Sequence, residues 1–231
     1  MALRLNSPSF FEHLVWLPVR IFMRICCSAR IQGIQNVKQL SGNVIFASNH
    51  VTELDPLLIV ACLPFFSDKL PIIYVVMETK AYRENWKSWR RFLYGGFFFR
   101  MIGGYEAYRG LNNYKKALRN HLQAIDEGKT VCIFPVGRRH GVSKIGEARG
   151  GASFLAKETG LPIIPIHIQG ISRTTTVKDY LLCKPKLKIT FGKPLYAEDI
   201  FNKTSKQIAD ASRSEFEKAS VALMQEIVDL K

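Results

Sequence analysis

The chain has 231 residues, 47 % of them hydrophobic and 23 % charged, an ordinary globular composition with enough apolar material for a core. Lys and Arg number 33 against 19 Asp and Glu, a net charge of +14, so the partner class is anionic: a nucleic acid, an anionic membrane surface or a phosphorylated small molecule. The five cysteines (Cys26, Cys27, Cys62, Cys132 and Cys183) form no C-x-x-C and no Cys/His cluster of zinc spacing, which excludes a metal site and leaves reduced thiols.

The first 30 residues carry Phe10, Phe11, Leu14, Trp16, Leu17, Ile21, Phe22 and Ile25, interrupted by Glu12, His13, Arg20 and Arg24. The charges break the run too often for a signal peptide or a bilayer span, which takes about 20 mostly apolar residues. Aromatic and aliphatic residues interleaved with cations predict an amphipathic helix lying in a membrane interface; the alternative is a helix packed on the domain's own core. Residues 1–30 are therefore set apart as an N-terminal helical segment, with 31–231 as the main domain. Strands are predicted at 44–47, 71–77, 130–135, 162–168 and 187–192. Helices are predicted at 112–127, with Gly128 as its stop, at 149–159, ending at Gly160, and as one long helix over 204–230. Strands alternating with helices predict an α/β fold, a central mostly parallel mixed sheet flanked by helices. Sites in such folds gather at the carboxyl ends of strands. His50 and the segment 136–140 both fall just past one. The aromatic, Gly-containing stretch 90–104 suits either core packing or an acyl-lining face.

"NHVTELD" (49–55) sets His50 five positions before Asp55. On a helix that separation is about 500°, so the two side chains would not share a face, and they meet only across a turn. Asp55-Pro56 reads as an N-cap followed by proline at the first helical position, with Thr52 a competing cap. Two readings follow. In one, Asp55 caps a helix and His50 is a polar loop residue. In the other, Asp55 holds one imidazole nitrogen and the second nitrogen takes a proton from a hydroxyl. "EGKT" (127–130) is not a phosphate-binding loop, because Gln123 stands where that motif needs glycine and the segment runs from helix into strand.

Three further segments bear on the choice: "GGYEAYRG" (103–110), "FPVGRRHG" (134–141) and "LPIIPI" (161–166). Together and in this order the four resemble the glycerophospholipid acyltransferase family, which includes 1-acylglycerol-3-phosphate acyltransferases. The family's histidine-x4-aspartate motif matches Asn49, His50 and Asp55. Its second motif matches Arg109, its third Phe134, Pro135, Gly137 and Arg139. A basic-x-glycine element matches Arg149 and Gly151, and the fourth motif's proline matches Pro165. The likeness spans about residues 30 to 195. It departs at Val136, where the family has glutamate, and at Glu106, where an apolar residue is usual.

The resemblance implies a membrane-associated O-acyltransferase on the cytoplasmic face. It would move a fatty acyl group to the hydroxyl of a lysophospholipid such as 1-acylglycerol-3-phosphate, in phospholipid biosynthesis. The donor is implied to be a thioester of coenzyme A or acyl carrier protein, acting as co-substrate with no resident cofactor. His50 is the implied base and Asp55 its orienter. Arg109, Arg139 and Gly137 are expected at the acceptor phosphate, and loop N–H groups near Gly137 at the oxyanion. Asn49, Val136, Glu106, Arg149 and Pro165 are expected to shape the site, and one reading has Glu106 supply from a neighbouring strand the carboxylate that Val136 lacks. A non-catalytic phospholipid-binding relative is the alternative that Val136 leaves open. A nucleic-acid partner is not expected, since no recognised motif occurs and the basic residues are spread rather than blocked.

Overall fold

The computed structural model describes residues 6–77, 101–108, 113–137, 147–172, 174–176, 178–207 and 213–231. In chain order the elements are α1 (Asn6–Cys26), β1 (Arg30–Gln32), α2 (Gln35–Lys38), β2 (Ile45–Ser48), α3 (Asp55–Cys62), β3 (Ile72–Met77), β4 (Gly104–Ala107), α4 (Tyr114–Ala117), α5 (Arg119–Asp126), β5 (Thr130–Ile133), α6 (Gly151–Thr159) and β6 (Ile163–Gln169). A π-helical turn (Asp179–Cys183), β7 (Lys188–Phe191), α7 (Ala197–Gln207) and α8 (Glu215–Asp229) complete them. Among the described residues the strands form one 7-stranded sheet, ordered β1-β7-β6-β2-β5-β3-β4.

Strands β6, β2, β5, β3 and β4 run parallel; β7 pairs antiparallel to β6, and β1 follows β7. The expected mostly parallel mixed sheet flanked by helices is thus the architecture. The central strands read as unbroken apolar runs because both their faces are covered. Val44, Phe46, Cys132, Ile164 and Ile166 pack on one side with Leu58 and Ile59 of α3 and Met23 of α1. Ile45, Ala47, Val131, Ile133 and Ile163 pack on the other with α5, α6 and α8. Parallel pairing puts the carboxyl ends of β2, β5 and β6 at one edge, where the chain leaves β2 toward His50 and β5 toward Phe134.

Two expectations need correction. Residues 204–230 are not one helix: α7 ends at Gln207 and α8 begins at Glu215. Ser214 is extended, its hydroxyl accepts from the Glu217 N–H, and the Glu217 carboxylate accepts from the Ser214 N–H. This reciprocal box starts a new helix. The expected helix over 112–127 is likewise split into α4 and α5 at Leu118. Gly128 (φ +77°) and Gly160 (φ +68°) stand at their expected stops in the left-handed region, where a Cβ is disfavoured.

Candidate active site

Asn49 locks the exit from β2. Its amide donates to the Ile168 carbonyl and its carbonyl accepts from the Ile168 N–H, both at 2.8 Å. One side chain thereby extends the β2–β6 ladder past its last backbone pair, Ser48 and Ile166. The next residue, His50, is delivered into the loop above the sheet edge.

His50 Nδ1 lies 2.7 Å from Asp55 Oδ2. The Asp55 side chain is completely buried, while that of His50 is 20 % exposed. The carboxylate also accepts from the Val51 N–H at 2.6 Å, the Thr52 N–H at 3.0 Å and the Thr52 hydroxyl at 2.8 Å. This corrects the expected cap. Asp55 is itself the first helical residue, with Leu54 at the cap position. Its carboxylate turns back to satisfy the preceding turn rather than the first turn of α3, and that reversal is what brings it to the imidazole. The His50 ring stacks on Phe134, with centroids 4.2 Å apart and planes 23° apart. The imidazole is held by a bond at one nitrogen and a ring against its face. Among the described residues its Nε2 makes no hydrogen bond.

Phe134 owes its position to a turn after β5. The Gly137 N–H donates to the Phe134 carbonyl at 2.8 Å, Pro135 and Gly137 occupying positions that favour those residues in a type I turn. Gly137 has φ +67° with open space where a Cβ would be, so the turn requires glycine for its backbone angle. Its own N–H is engaged in that turn; the loop N–H groups that follow it, expected at the oxyanion, lie at 138–146, outside the described residues. The Arg149 N–H donates to the Pro135 carbonyl at 2.9 Å and clamps the turn from the start of α6, while the Arg149 side chain is exposed. Behind it, a Cβ on Gly150 would lie 2.5 Å from Phe216 and 2.6 Å from the Tyr114 hydroxyl. The glycine there serves the contact of α6 with α8.

Val136 does not face this loop. Its side chain is 6 % exposed and belongs to the apolar cluster that includes Ile133, Leu118 and Ala152. Glu106 lies on β4, paired with Val76 of β3. With β3 between them, β4 and β5 are two strand spacings apart, about 10 Å; Glu106 is not on the strand next to Val136. Pro165 is buried in β6 beside Ala47, and its carbonyl accepts from Gly192 at 2.8 Å, a packing position within the sheet. Arg109, Arg139 and residues 90–100 of the aromatic stretch 90–104 lie outside the described residues.

The sequence reading missed the roles of Phe134, Val51 and Thr52. Thr52 three residues before Asp55 was the available signal, since threonine followed by an acid at that spacing marks reciprocal bonding at a helix start. Nothing in the sequence announced the ring stack. Among the described residues no group of His, Cys, Asp and Glu could hold a metal ion. Burial pushes the Cys62 thiol up to about 12 and Cys132 higher still, the latter aided by the Asp55 charge. Neither supplies a thiolate nucleophile at neutral pH.

An imidazole and a carboxylate in this arrangement could serve several chemistries. The model of the acyltransferase family matches residues 28–169. The chain belongs to the acyltransferase family. The chain is 23 % identical over 176 residues to a chloroplastic 1-acyl-sn-glycerol-3-phosphate acyltransferase of Brassica napus, BAT2, covering 72 % of the chain and 44 % of that protein. It is 22 % identical over 219 residues to the chloroplastic LPAT1 of Arabidopsis thaliana, covering 87 % of the chain and 54 % of that protein. The chain spans about half the length of these curated relatives. The chain also shares its fold with the crystal structure of the 1-acyl-sn-glycerophosphate acyltransferase PlsC of Thermotoga maritima. The TM-score is 0.53 at 18 % identity, over 98 % of this chain and 79 % of that one.

Proposed function

We propose that this acyltransferase moves a fatty acyl group from a thioester to the hydroxyl of a lysophospholipid such as 1-acylglycerol-3-phosphate. The observation that carries the reading is the His50 Nδ1–Asp55 Oδ2 contact at 2.7 Å, with Nε2 left unbonded among the described residues. In that tautomer Nδ1 carries the proton and Nε2 the lone pair. Nε2 removes the acceptor's hydroxyl proton as its oxygen attacks the thioester carbonyl. The C–O bond forms, the C–S bond breaks, and the proton returns to the leaving thiolate. The thioester is already activated, so no acyl-enzyme is required. Asp55 keeps the tautomer and stabilises the imidazolium. The lysophospholipid acceptor is supported by what the curated relatives are named for. Arg139 and Arg109 are assigned to the acceptor phosphate, because guanidinium forks match phosphate oxygens in pairs. The thioester donor is one of coenzyme A or acyl carrier protein.

Membrane association through α1 belongs to the same reading. Phe10, Leu14, Leu17, Ile21 and Ile25 are exposed along one side of the helix, an apolar face of the kind that enters a lipid interface. Among the described residues no helix is long and apolar enough to cross a membrane.

The test is thiol release from acyl-coenzyme A by the full chain with 1-acylglycerol-3-phosphate, repeated with its unphosphorylated counterpart and with acyl carrier protein as donor. Release that needs the phosphorylated acceptor and disappears in His50→Ala supports the assignment. Binding of lysophospholipid without release identifies a non-catalytic relative.

A further inference from the structure

The exposed side chains of α1 do not end with α1. Over positions 10, 14, 17, 21 and 25 they keep to an arc of about 80° at 100° per residue, opposite the arc that buries Glu12 and Met23. Phe22, on the flank between the two, meets the Tyr180 ring at 5.2 Å. Tyr180 stands on the π-helical turn Asp179–Cys183, which also carries Leu182, 80 % exposed. Past the turn, the Leu187 N–H donates to the Cys27 carbonyl and the Arg30 N–H to the Leu187 carbonyl, and β1 continues beside β7 with Arg30 opposite Lys188. The end of α1, the turn and the start of β7 are one continuous surface.

The charge on that surface is basic except for Asp179, whose carboxylate is turned onto the Thr176 N–H and hydroxyl at 2.6 and 2.8 Å. From residue 13 to 52 the chain has Arg20, Arg24, Arg30 and Lys38 and no Asp or Glu; from 180 to 197 it has Lys184, Lys186, Lys188 and Lys193 and again none. The two acid-free stretches are the ones that β1 and β7 bring side by side. Arg24, Arg30, Lys184 and Lys186 are exposed.

We propose that the turn Asp179–Cys183 is a second membrane-insertion element. Leu182 enters the interface beside Ile25, and Arg24, Arg30, Lys184 and Lys186 bind anionic lipid headgroups around the two. This rests on the reading of α1 as the membrane-facing helix and adds a partner chemistry and a second contact to it. A second copy of the chain fits the face poorly, since it would set cations against cations. A nucleic acid would use the cations and leave Leu182, Ile25 and Ile21 in water. An anionic lipid surface uses both, cations at headgroup depth and aliphatic side chains below them. The face also adjoins the chemistry: Tyr180 packs on the same apolar layer as Val51 and Phe134, and Phe134 stacks on His50. Docking on the turn brings the His50 loop down to where a lysophospholipid resides.

The test is co-sedimentation of the full chain with vesicles of phosphatidylcholine alone and of phosphatidylcholine mixed with phosphatidylglycerol, at low and high salt. Wild-type protein is expected to prefer the anionic vesicles and to lose that preference in salt. Leu182→Asn is expected to weaken binding about tenfold, the worth of one leucine left in water. Lys184→Gln with Lys186→Gln is expected to remove most of the salt dependence. Thiol release with a short-chain, water-soluble acceptor should be unchanged in both variants. Wild-type binding by Leu182→Asn, equal binding to the two vesicle types, or equal affinity for duplex DNA overturns the proposal. Vesicle binding as described by a wild-type chain that releases no thiol would leave it standing and sink the acyl-transfer reading instead.

Discussion

At the scale of single residues, the buried carboxylate and the partly exposed imidazole do different work, and substitution separates them. His50→Ala removes a base from a loop and is expected to lower turnover by about 10²- to 10⁴-fold, with a stability change under about 1 kcal/mol. Asp55→Asn keeps the shape but turns an amide NH2 toward groups that are donors already: the Val51 and Thr52 N–H groups and the Thr52 hydroxyl. One stranded buried donor costs about 1–3 kcal/mol, so Asp55→Asn should lose both rate and thermal stability. Equal melting temperatures for the two variants would contradict the hydrogen bonding described. Val136→Glu carries the family's usual residue into an apolar cluster. The expected result is a loss of about 1–3 kcal/mol in denaturant unfolding. A gain in turnover without that loss would mean the side chain reaches the site. Asn49, His50 and Asp55 were legible as a group because a strand end, a turn and a proline fix where each must fall. Phe134 was not, since a ring stack between two loops has no period along the chain.

Elements were legible in proportion to their length and apolar content. The central strands declared themselves by unbroken aliphatic runs. β1 and β4 did not, because three or four half-buried residues carry no pattern and depend on β7 and β3 for their pairing. The cap at Ser214 was present in the sequence as a serine three residues before Glu217, but the helical spacing on either side masked it. Ser214→Ala should cost about 1 kcal/mol of thermal stability. The attachment of α1 is the element-scale case with a pH signature. Glu12 is buried, Oε1 accepts from the Ile72 N–H at 2.9 Å and Oε2 has no partner among the described residues. Burial raises its carboxyl from 4.5 to about 8, against a smaller lowering by the Ile72 bond. With the folded value above the unfolded one, the neutral acid's stabilisation is complete below about pH 4.5 and is lost as pH rises to about 8. Glu12→Gln keeps the acceptor and removes the titration. Its melting temperature should fall less than that of wild type between those pH values, and parallel curves would remove Glu12 as the cause.

Across the whole molecule, α1 has two faces with opposed demands, and these decide whether residues 1–30 are a separable appendage. The outer face is exposed and aliphatic. The inner face is part of the core: Met23 and Cys27 are buried in the layer that covers Phe46 and Ile72. Toward the far end of α3, the Trp16 indole N–H donates to the Leu63 carbonyl at 2.9 Å and the Arg20 guanidinium to the Ala61 carbonyl at 3.0 Å. These are carbonyls that a helix end leaves without partners. Removing α1 would uncover one side of the sheet and orphan the end of α3, with each large apolar side chain returned to water costing about 1.5–3 kcal/mol. A few such losses match the total stability of about 5–15 kcal/mol usual for a domain. A chain beginning at residue 28 is therefore expected to show no cooperative thermal transition by near-ultraviolet circular dichroism, where the full chain shows one. A truncated chain that melts cooperatively near the full-length temperature would make α1 a detachable anchor. The expected loss instead makes the helix proposed to face the lipid also a wall of the domain, so that the proposed docking would fix the orientation of the His50 loop without a separate hinge.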